Sequence, residues 1–331
     1  MSIQRHRNRL VGLLALIVAL MPFSARAGQI GASMKVNGFT FINFDPSGAT
    51  DSTANGISNN GHLVITVTKP DGTFTNYTAT PAKTTQLNLG TTAMAFGSNS
   101  GNTIVGTQNG AAFFMTAKGS PQPLPSPALA TAAFGINDKG QIVGQSTTGS
   151  GQMPGFILRN MHTPAITINA PSGANIVNAQ GINNFGLIVG SYVGTDGQTH
   201  GFIANLSSAR NGTLTGTAIA DPVIPNVPGE PGATFVFSQL LGVNDAGVAV
   251  GYYGDSTTSQ HGFIYDTNTG QYTFLDDPAE AFNNGVEVTQ ITGINNSAEL
   301  TGFYTDGNGV THSFIACPPY SFCPSYGSVL P

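Results

Sequence analysis

Three histidines recur at one place in a repeated motif: His200 in Thr-His-Gly-Phe-Ile, His261 in Gln-His-Gly-Phe-Ile and His312 in Thr-His-Ser-Phe-Ile. An imidazole can ligate a metal or carry a proton, so a shared three-histidine site is the first chemistry to weigh. Carboxylates accompany them, chiefly Asp255, Asp306 and the adjacent pair Asp276–Asp277. Such a pair suits acid–base work or a divalent cation, and equally caps a strand end. Asp196-Gly197 and Asp306-Gly307 look like fragments of calcium loops, but neither stretch supplies the oxygen ligands of Asp-x-Asp-x-Asp-Gly. Both read as tight turns. Equivalent positions in successive repeats are rotated apart, so each histidine is expected to bond the adjoining turn or strand of its own repeat. The chain has no Gly-x-Ser-x-Gly elbow, His-Glu-x-x-His, Walker loop or dinucleotide fingerprint, and no tryptophan to stack on a sugar. No catalytic residue is assigned.

What must position these residues is a repeat. A Gly-Ile-Asn-like hairpin begins at Gly56, Gly97, Gly135, Gly181, Gly242 and Gly293, at intervals of 41, 38, 46, 61 and 51 residues. A Gly-Phe-Ile-like strand follows each of the later copies. A period of about 40–50 residues suits a four-stranded propeller blade. In the best-preserved copy, Ala165–Ile168, Ile176–Asn183, Leu187–Tyr192 and His200–Asn205 read as short strands bounded by turn residues. Lettered outward from the axis, strand A carries Gly-Ile-Asn, B carries Ile-Val-Gly, C carries Gly-Phe-Ile and D follows. Glycines in A and B are expected to let neighbouring blades approach closely. The chain starts on a D-like strand, Phe39–Phe44, and ends on a C-like strand, His312–Ala316. The expected fold is therefore all-β: a six-bladed β-propeller of four-stranded antiparallel blades, its ring closed by the N-terminal strand. An open solenoid or a five-bladed ring is the alternative.

The N-terminus carries an address. Arg5, Arg7 and Arg9 precede an apolar run from Leu10 to Met21, and Ala25-Arg26-Ala27 is a small-x-small cleavage site. That order is a secretory signal peptide over residues 1–27, too short to span a bilayer, and it places the mature chain 28–331 in the periplasm or outside the cell. Charged residues are 8% of the chain and hydrophobic ones 40%, which opposes disorder. Loss of the four leader arginines leaves a net charge near −9, which argues against nucleic acid and anionic membranes. Cys317 and Cys323 are the two cysteines, and in an exported chain they are expected to form a local disulfide that pins a tail from about residue 318 to 331.

The core Gly-Ile-Asn-Asn-x-Gly-x-Ile-Val-Gly with a following Thr-His-Gly-Phe-Ile resembles the HAF repeats of bacterial extracellular proteins. The likeness runs over nearly all of the mature chain. It is specific in copies three to six and eroded in the first two, where Ile65 stands at the strand-B glycine. The resemblance implies an exported repeat protein and brings no catalytic residues.

Topology predicts a charge asymmetry. D–A and B–C loops share one end of the ring, A–B and C–D loops the other. Asp45, Asp51, Asp71, Asp196, Asp221, Glu230, Asp255, Asp276, Asp277, Glu280, Glu287 and Asp306 fall on the first end with Lys69 alone opposing them. Long variable loops on a rigid scaffold are where function concentrates. The expectation is a non-enzymatic binding or surface-interaction module, monomeric, that takes an unknown ligand or protein on this acidic loop face. Asp255, Asp276, Asp277 and Asp306 are the candidate ligand-binding residues, and a calcium ion bridging neighbouring loops is the sharpest version. A hydrolase or lyase acting on a carbohydrate or lactone at the channel mouth is the alternative.

Overall fold

The computed structural model describes residues 34–127, 129–171, 173, 176–225, 232–278, 286–319, 321 and 323. The leader 1–27, Glu230, Glu280 and most of the C-terminal tail lie outside the described residues. The chain is all-β, with no α-helix among the described residues.

Six antiparallel sheets form the blades of a propeller. Blade 1 runs Ser52–Ile57, Leu63–Thr68, Phe74–Thr80 and Lys83–Leu87 from the axis outward. Blade 2 is Ala93–Ser98, Ile104–Gln108, Ala111–Met115 and Gln122–Pro123, and blade 3 is Ala130–Ile136, Ile142–Ser146, Gly155–Leu158 and Ile166–Asn169. Blade 4 is Val177–Ile182, Leu187–Val193, Thr199–Asn205 and Thr217–Ala218. Blade 5 is Phe235–Val243, Val248–Asp255, Gln260–Asp266 and Gln271–Phe274. Blade 6 takes Thr289–Ile294, Leu300–Thr305 and Thr311–Cys317 from the end of the chain and Phe39–Phe44 from its start. In that closing pair Phe41 lies opposite Ala316 and Phe44 opposite Ser313, as the offset of the repeats requires.

Two blades carry a fifth strand that periodicity did not announce. Met34–Val36 pairs outside Phe39–Phe44. Thr213–Thr215 leaves blade 4 and lies parallel to the outer strand of blade 3, with Thr215 opposite Asn169. The 61-residue interval is thus partly used to strap one blade to the next.

The repeat signature has a physical account, residue by residue. Every inner strand carries a register shift just before its glycine, at Ala54/Gly56, Ala95/Gly97, Ala133/Gly135, Ala179/Gly181, Leu240/Gly242 and Ile291/Gly293. Such a bulge re-aims one side chain. The skipped residues are Asn55, Phe96, Phe134, Gln180, Leu241 and Thr292, and all of them line the axial cavity. The glycine after each bulge meets the next blade: a Cβ on Gly135 would sit 2.5 Å from the Gln180 carbonyl oxygen and 3.2 Å from the Gly181 Cα. Strand-B glycines do a different job from the one expected. A Cβ on Gly190 would lie 2.0 Å from the Asn178 carbonyl oxygen and 2.8 Å from the Phe202 ring, both in its own blade. Gly190 and Phe202 are cross-strand partners, as are Gly144 and Phe156, Gly251 and Phe263, and Gly302 and Phe314. Gly-Phe-Ile is therefore the ring that covers Ile-Val-Gly. Where Ile65 replaces the glycine, its partner is Tyr77, which is only partly buried.

The first asparagine of Gly-Ile-Asn has two roles. Asn183 Oδ1 accepts the N–H groups of Phe185 and Leu187 at 3.0 and 2.9 Å, closing its own hairpin. Its Nδ2 donates to the Asn244 carbonyl of the next blade at 2.9 Å. Asn99 reaches Asn137, Asn137 reaches Asn183, Asn244 reaches Asn295 and Asn295 reaches Ser58 in the same way. A belt of side-chain donors thereby stitches successive blades.

Candidate functional site

The three histidines are held as the repeat reading expected, each inside its own blade. His200 Nδ1 lies 2.9 Å from Asp221 and its Nε2 3.0 Å from Asp196. His261 Nδ1 lies 3.0 Å from Asp276, with Asp255 at 3.8 Å from Nε2. His312 Nδ1 lies 2.7 Å from Asp45 and Nε2 3.5 Å from Asp306. A carboxylate from the B–C turn and one following strand D thus grip each imidazole from opposite sides. A strand-B tyrosine packs its ring against each imidazole, stacked in blade 5 and tilted in blades 4 and 6: Tyr192, Tyr253 and Tyr304 have ring centroids 5.7, 5.0 and 5.2 Å from their histidines. Burial alone would lower the pKa of His312, but its hydrogen bond to Asp45 and the charges of Asp45 and Asp306 outweigh that and raise it.

Three of the four predicted site residues, Asp255, Asp276 and Asp306, occupy these grips. Asp255 is buried, and its Oδ1 accepts the N–H of Thr257 at 2.9 Å and that of Ser259 at 3.2 Å. Asp276 holds His261 with one oxygen and the Gly262 N–H with the other at 2.7 Å. Asp306 caps its turn through the N–H groups of Asn308 and Val310, both at 2.9 Å. Those bonds outweigh the effect of burial and hold its carboxyl below the ordinary carboxylate range. Asp277 is fully buried, accepting from Asn43 at 3.4 Å while its own N–H donates to Thr289 at 3.0 Å. The structure brings Asp255 and Asp276 together around one imidazole and places Asp306 with Asp45 in the next blade. Among the described residues no group of three or more His, Cys, Asp or Glu could hold a metal ion. Cys317 and Cys323 form the expected disulfide, S–S 2.06 Å.

The two ends of the ring differ as topology required. Strand order puts Asp45, Asp51, Asp71, Asp196, Asp221, Asp255, Asp276, Asp277, Glu287 and Asp306 at the D–A/B–C end with Lys69. The other end holds Asp138, Asp245, Asp266 and Glu299 with Lys83, Lys118, Lys139, Arg159 and Arg210.

At that second end the axis is closed by polar side chains. Asn184 donates to Asp245 at 2.9 Å and to Asp138 at 3.3 Å, Asn296 donates to Asp245 at 2.7 Å, and Asn59 donates to Asp138 at 2.8 Å. Burial would raise the Asp138 pKa, but hydrogen bonds from Asn59, Ser100 and Asn184 more than offset it. Behind this ring lies an axial cavity of 90 Å³ walled by Phe96, Phe134, Gln180 and Asn55. Sites for small molecules usually span about 300–1,000 Å³, so this space is not substrate-sized.

Sequence reasoning missed the tyrosines packed on the histidines and the amide ring. The tyrosines carried a readable signal: Tyr192, Tyr253 and Tyr304 each stand 8 residues before their histidine. The ring residues sit directly after the hairpin asparagine, at a position whose types vary between Asn, Asp and Ser.

No family model matches the chain, and no curated protein matches it. Several solved structures align with it at low identity. The propeller domain of the Trilobed protease from Pyrococcus furiosus aligns with TM-score 0.46 and 8% identity over 85% of this chain and 92% of that one. A six-bladed fungal lectin from Aleuria aurantia aligns with TM-score 0.41 and 9% identity over 83% and 97%. A puromycin-hydrolyzing peptidase of Mycobacterium tuberculosis aligns with TM-score 0.42 and 11% identity over 88% of this chain and 54% of the peptidase.

Proposed function

We propose that the chain is an exported, HAF-type repeat protein that acts as a binding module and engages a cationic ligand or partner on its D–A/B–C face. The observation that carries this reading is an imbalance of charge: among the described residues ten carboxylates face one lysine at the D–A/B–C end, while four carboxylates are offset by five cations at the other. A one-signed field over a concave mouth raises the local concentration of opposite charge and speeds its capture. The scaffold supports binding over catalysis, because the titratable side chains that acid–base chemistry needs are occupied holding the blades. His261, for instance, is fully buried between Asp255 and Asp276. Export is supported by the basic, apolar, small-residue order of the leader and by the Cys317–Cys323 disulfide.

The test is retention on immobilised poly-L-lysine across a salt gradient. Asp71→Asn with Asp196→Asn removes two exposed charges while keeping a turn-capping oxygen at each site, so elution moves to lower salt. Lys139→Gln with Arg159→Gln changes only the opposite end and leaves elution where it was. Equal shifts for both pairs, or no shift for the first, would sink the proposal.

A further inference from the structure

Blade 3 lacks the histidine grip, and the space it leaves is a cleft. The register that pairs Tyr192 with His200 in blade 4 pairs Ser146 with Pro154 in blade 3. The carboxylate that follows strand D in blades 5 and 6, Asp276 or Asp45, is Asn169 here, two residues past the partner of the covering phenylalanine. Where blade 4 holds a phenol ring, an imidazole and a carboxylate, a cleft of 400 Å³ lies between blades 3 and 4, lined by Gln152, Pro154, Asn169, Pro171, Val177 and Thr215. That is within the usual range for a small-molecule site.

From this we infer that the cleft binds a neutral saccharide unit. Its lining bears no charge, in contrast to the rest of the D–A/B–C face. The insertion strand Thr213–Thr215 builds one wall, and its parallel register places Thr215 opposite Asn169, both exposed and both lining the cleft. Neither side chain has a hydrogen-bond partner among the described residues. An amide and a hydroxyl together offer donors and acceptors, which is what successive sugar hydroxyls require. Pro154 and Pro171 are half-buried and supply the aliphatic surface on which the C–H face of a pyranose can rest. A charged ligand would find no counter-ion here and would lose its hydration without compensation. The site is separate from the acidic surface proposed above, so the two readings stand or fall independently.

The experiment is saturation-transfer NMR and calorimetry on the full chain with the methyl glycosides of glucose, galactose, mannose and N-acetylglucosamine. At least one binds, and Asn169→Ala and Thr215→Val each weaken it tenfold or more, the loss expected when a hydrogen bond to a ligand goes unmade. Thermal melts of both variants stay at the wild-type value, because the two side chains are exposed and make no internal bonds. Retention on poly-L-lysine is unchanged in these variants, and Asp71→Asn with Asp196→Asn leaves sugar binding unchanged. Absence of binding to all four glycosides, or binding that survives both cleft substitutions, overturns the inference. Preference for an anionic sugar such as methyl glucuronoside overturns it too.

Discussion

Ala298 sits where five other hairpins use glycine or asparagine. It has φ +58°, in the turn whose counterparts are Gly61, Asn102, Gly140, Gly186 and Gly247. A left-handed backbone costs an alanine about 1–2 kcal/mol, part of which glycine's looser unfolded state cancels. Ala298→Gly is therefore expected to raise stability by about 1 kcal/mol in a denaturant titration; a lower midpoint would refute the strain. Gly190 is the opposite case. Gly190→Ala drives a methyl into the Asn178 carbonyl oxygen and the Phe202 ring, both held by buried packing, and is expected to cost about 3 kcal/mol or more. Gly149→Ala, which meets nothing within 4 Å, is the control and stays within about 0.5 kcal/mol. His312 couples residue chemistry to pH. Its folded pKa is raised above 6.5, so its grip contributes fully below that value and fades as pH rises through the folded pKa. Asp306 is lowered from 3.8, so its share is present above that value and is lost only in acid. The melting-temperature gap between wild type and His312→Gln should be widest between these limits and narrow toward pH 9. A gap independent of pH would show that the imidazole acts by packing alone.

At the scale of the element, the hairpin asparagine separates local from inter-blade stabilisation. Asn183→Asp keeps the acceptor oxygen for Phe185 and Leu187 but loses the donor to Asn244, while Asn183→Ala loses both. Unmade hydrogen bonds in buried positions cost about 1–3 kcal/mol each, so the order of midpoints should be wild type, Asp, then Ala. Equal losses would mean that the belt between blades carries no weight. The same element shows what a sequence makes legible. Strand order, the closing strand Phe39–Phe44 and the end of the ring on which each described carboxylate falls all followed from the spacing of Gly-Ile-Asn and Gly-Phe-Ile, because both motifs are set by close backbone approach that only certain residues permit. The role of the strand-B glycine was misplaced, since proximity to Phe202 depends on cross-strand register that linear spacing does not display. The strap Thr213–Thr215 was invisible for a related reason. Its polar-apolar-polar alternation spans only three residues, and it pairs with a blade that precedes it in the chain. The cleft between blades 3 and 4 was hidden because it is defined by what Pro154 and Asn169 replace, and no motif marks a substitution of that kind.

For the whole molecule, closure of the ring sets cooperativity. Phe41 and Phe314 are fully buried with centroids 5.2 Å apart, so residues near the two ends of the chain share one core. The same seam carries Asp45 against His312, and Ser52 of blade 1 donates to Asp45 at 2.5 Å. Opening it would expose the edge of Thr311–Cys317 and release the His312 grip together. Two variants separate these contributions. Phe41→Ala removes packing and is expected to lose about 3–5 kcal/mol at every pH. Deleting residues 34–44 removes both strand and packing, and calorimetry should then show a broadened, lower transition in which the pH dependence assigned to His312 has also gone. If the deletion variant instead melts in one sharp step at the wild-type temperature, blade 6 is complete without its N-terminal strand. The ring would then be held by the asparagine belt and the glycine contacts around the axis, not by the seam.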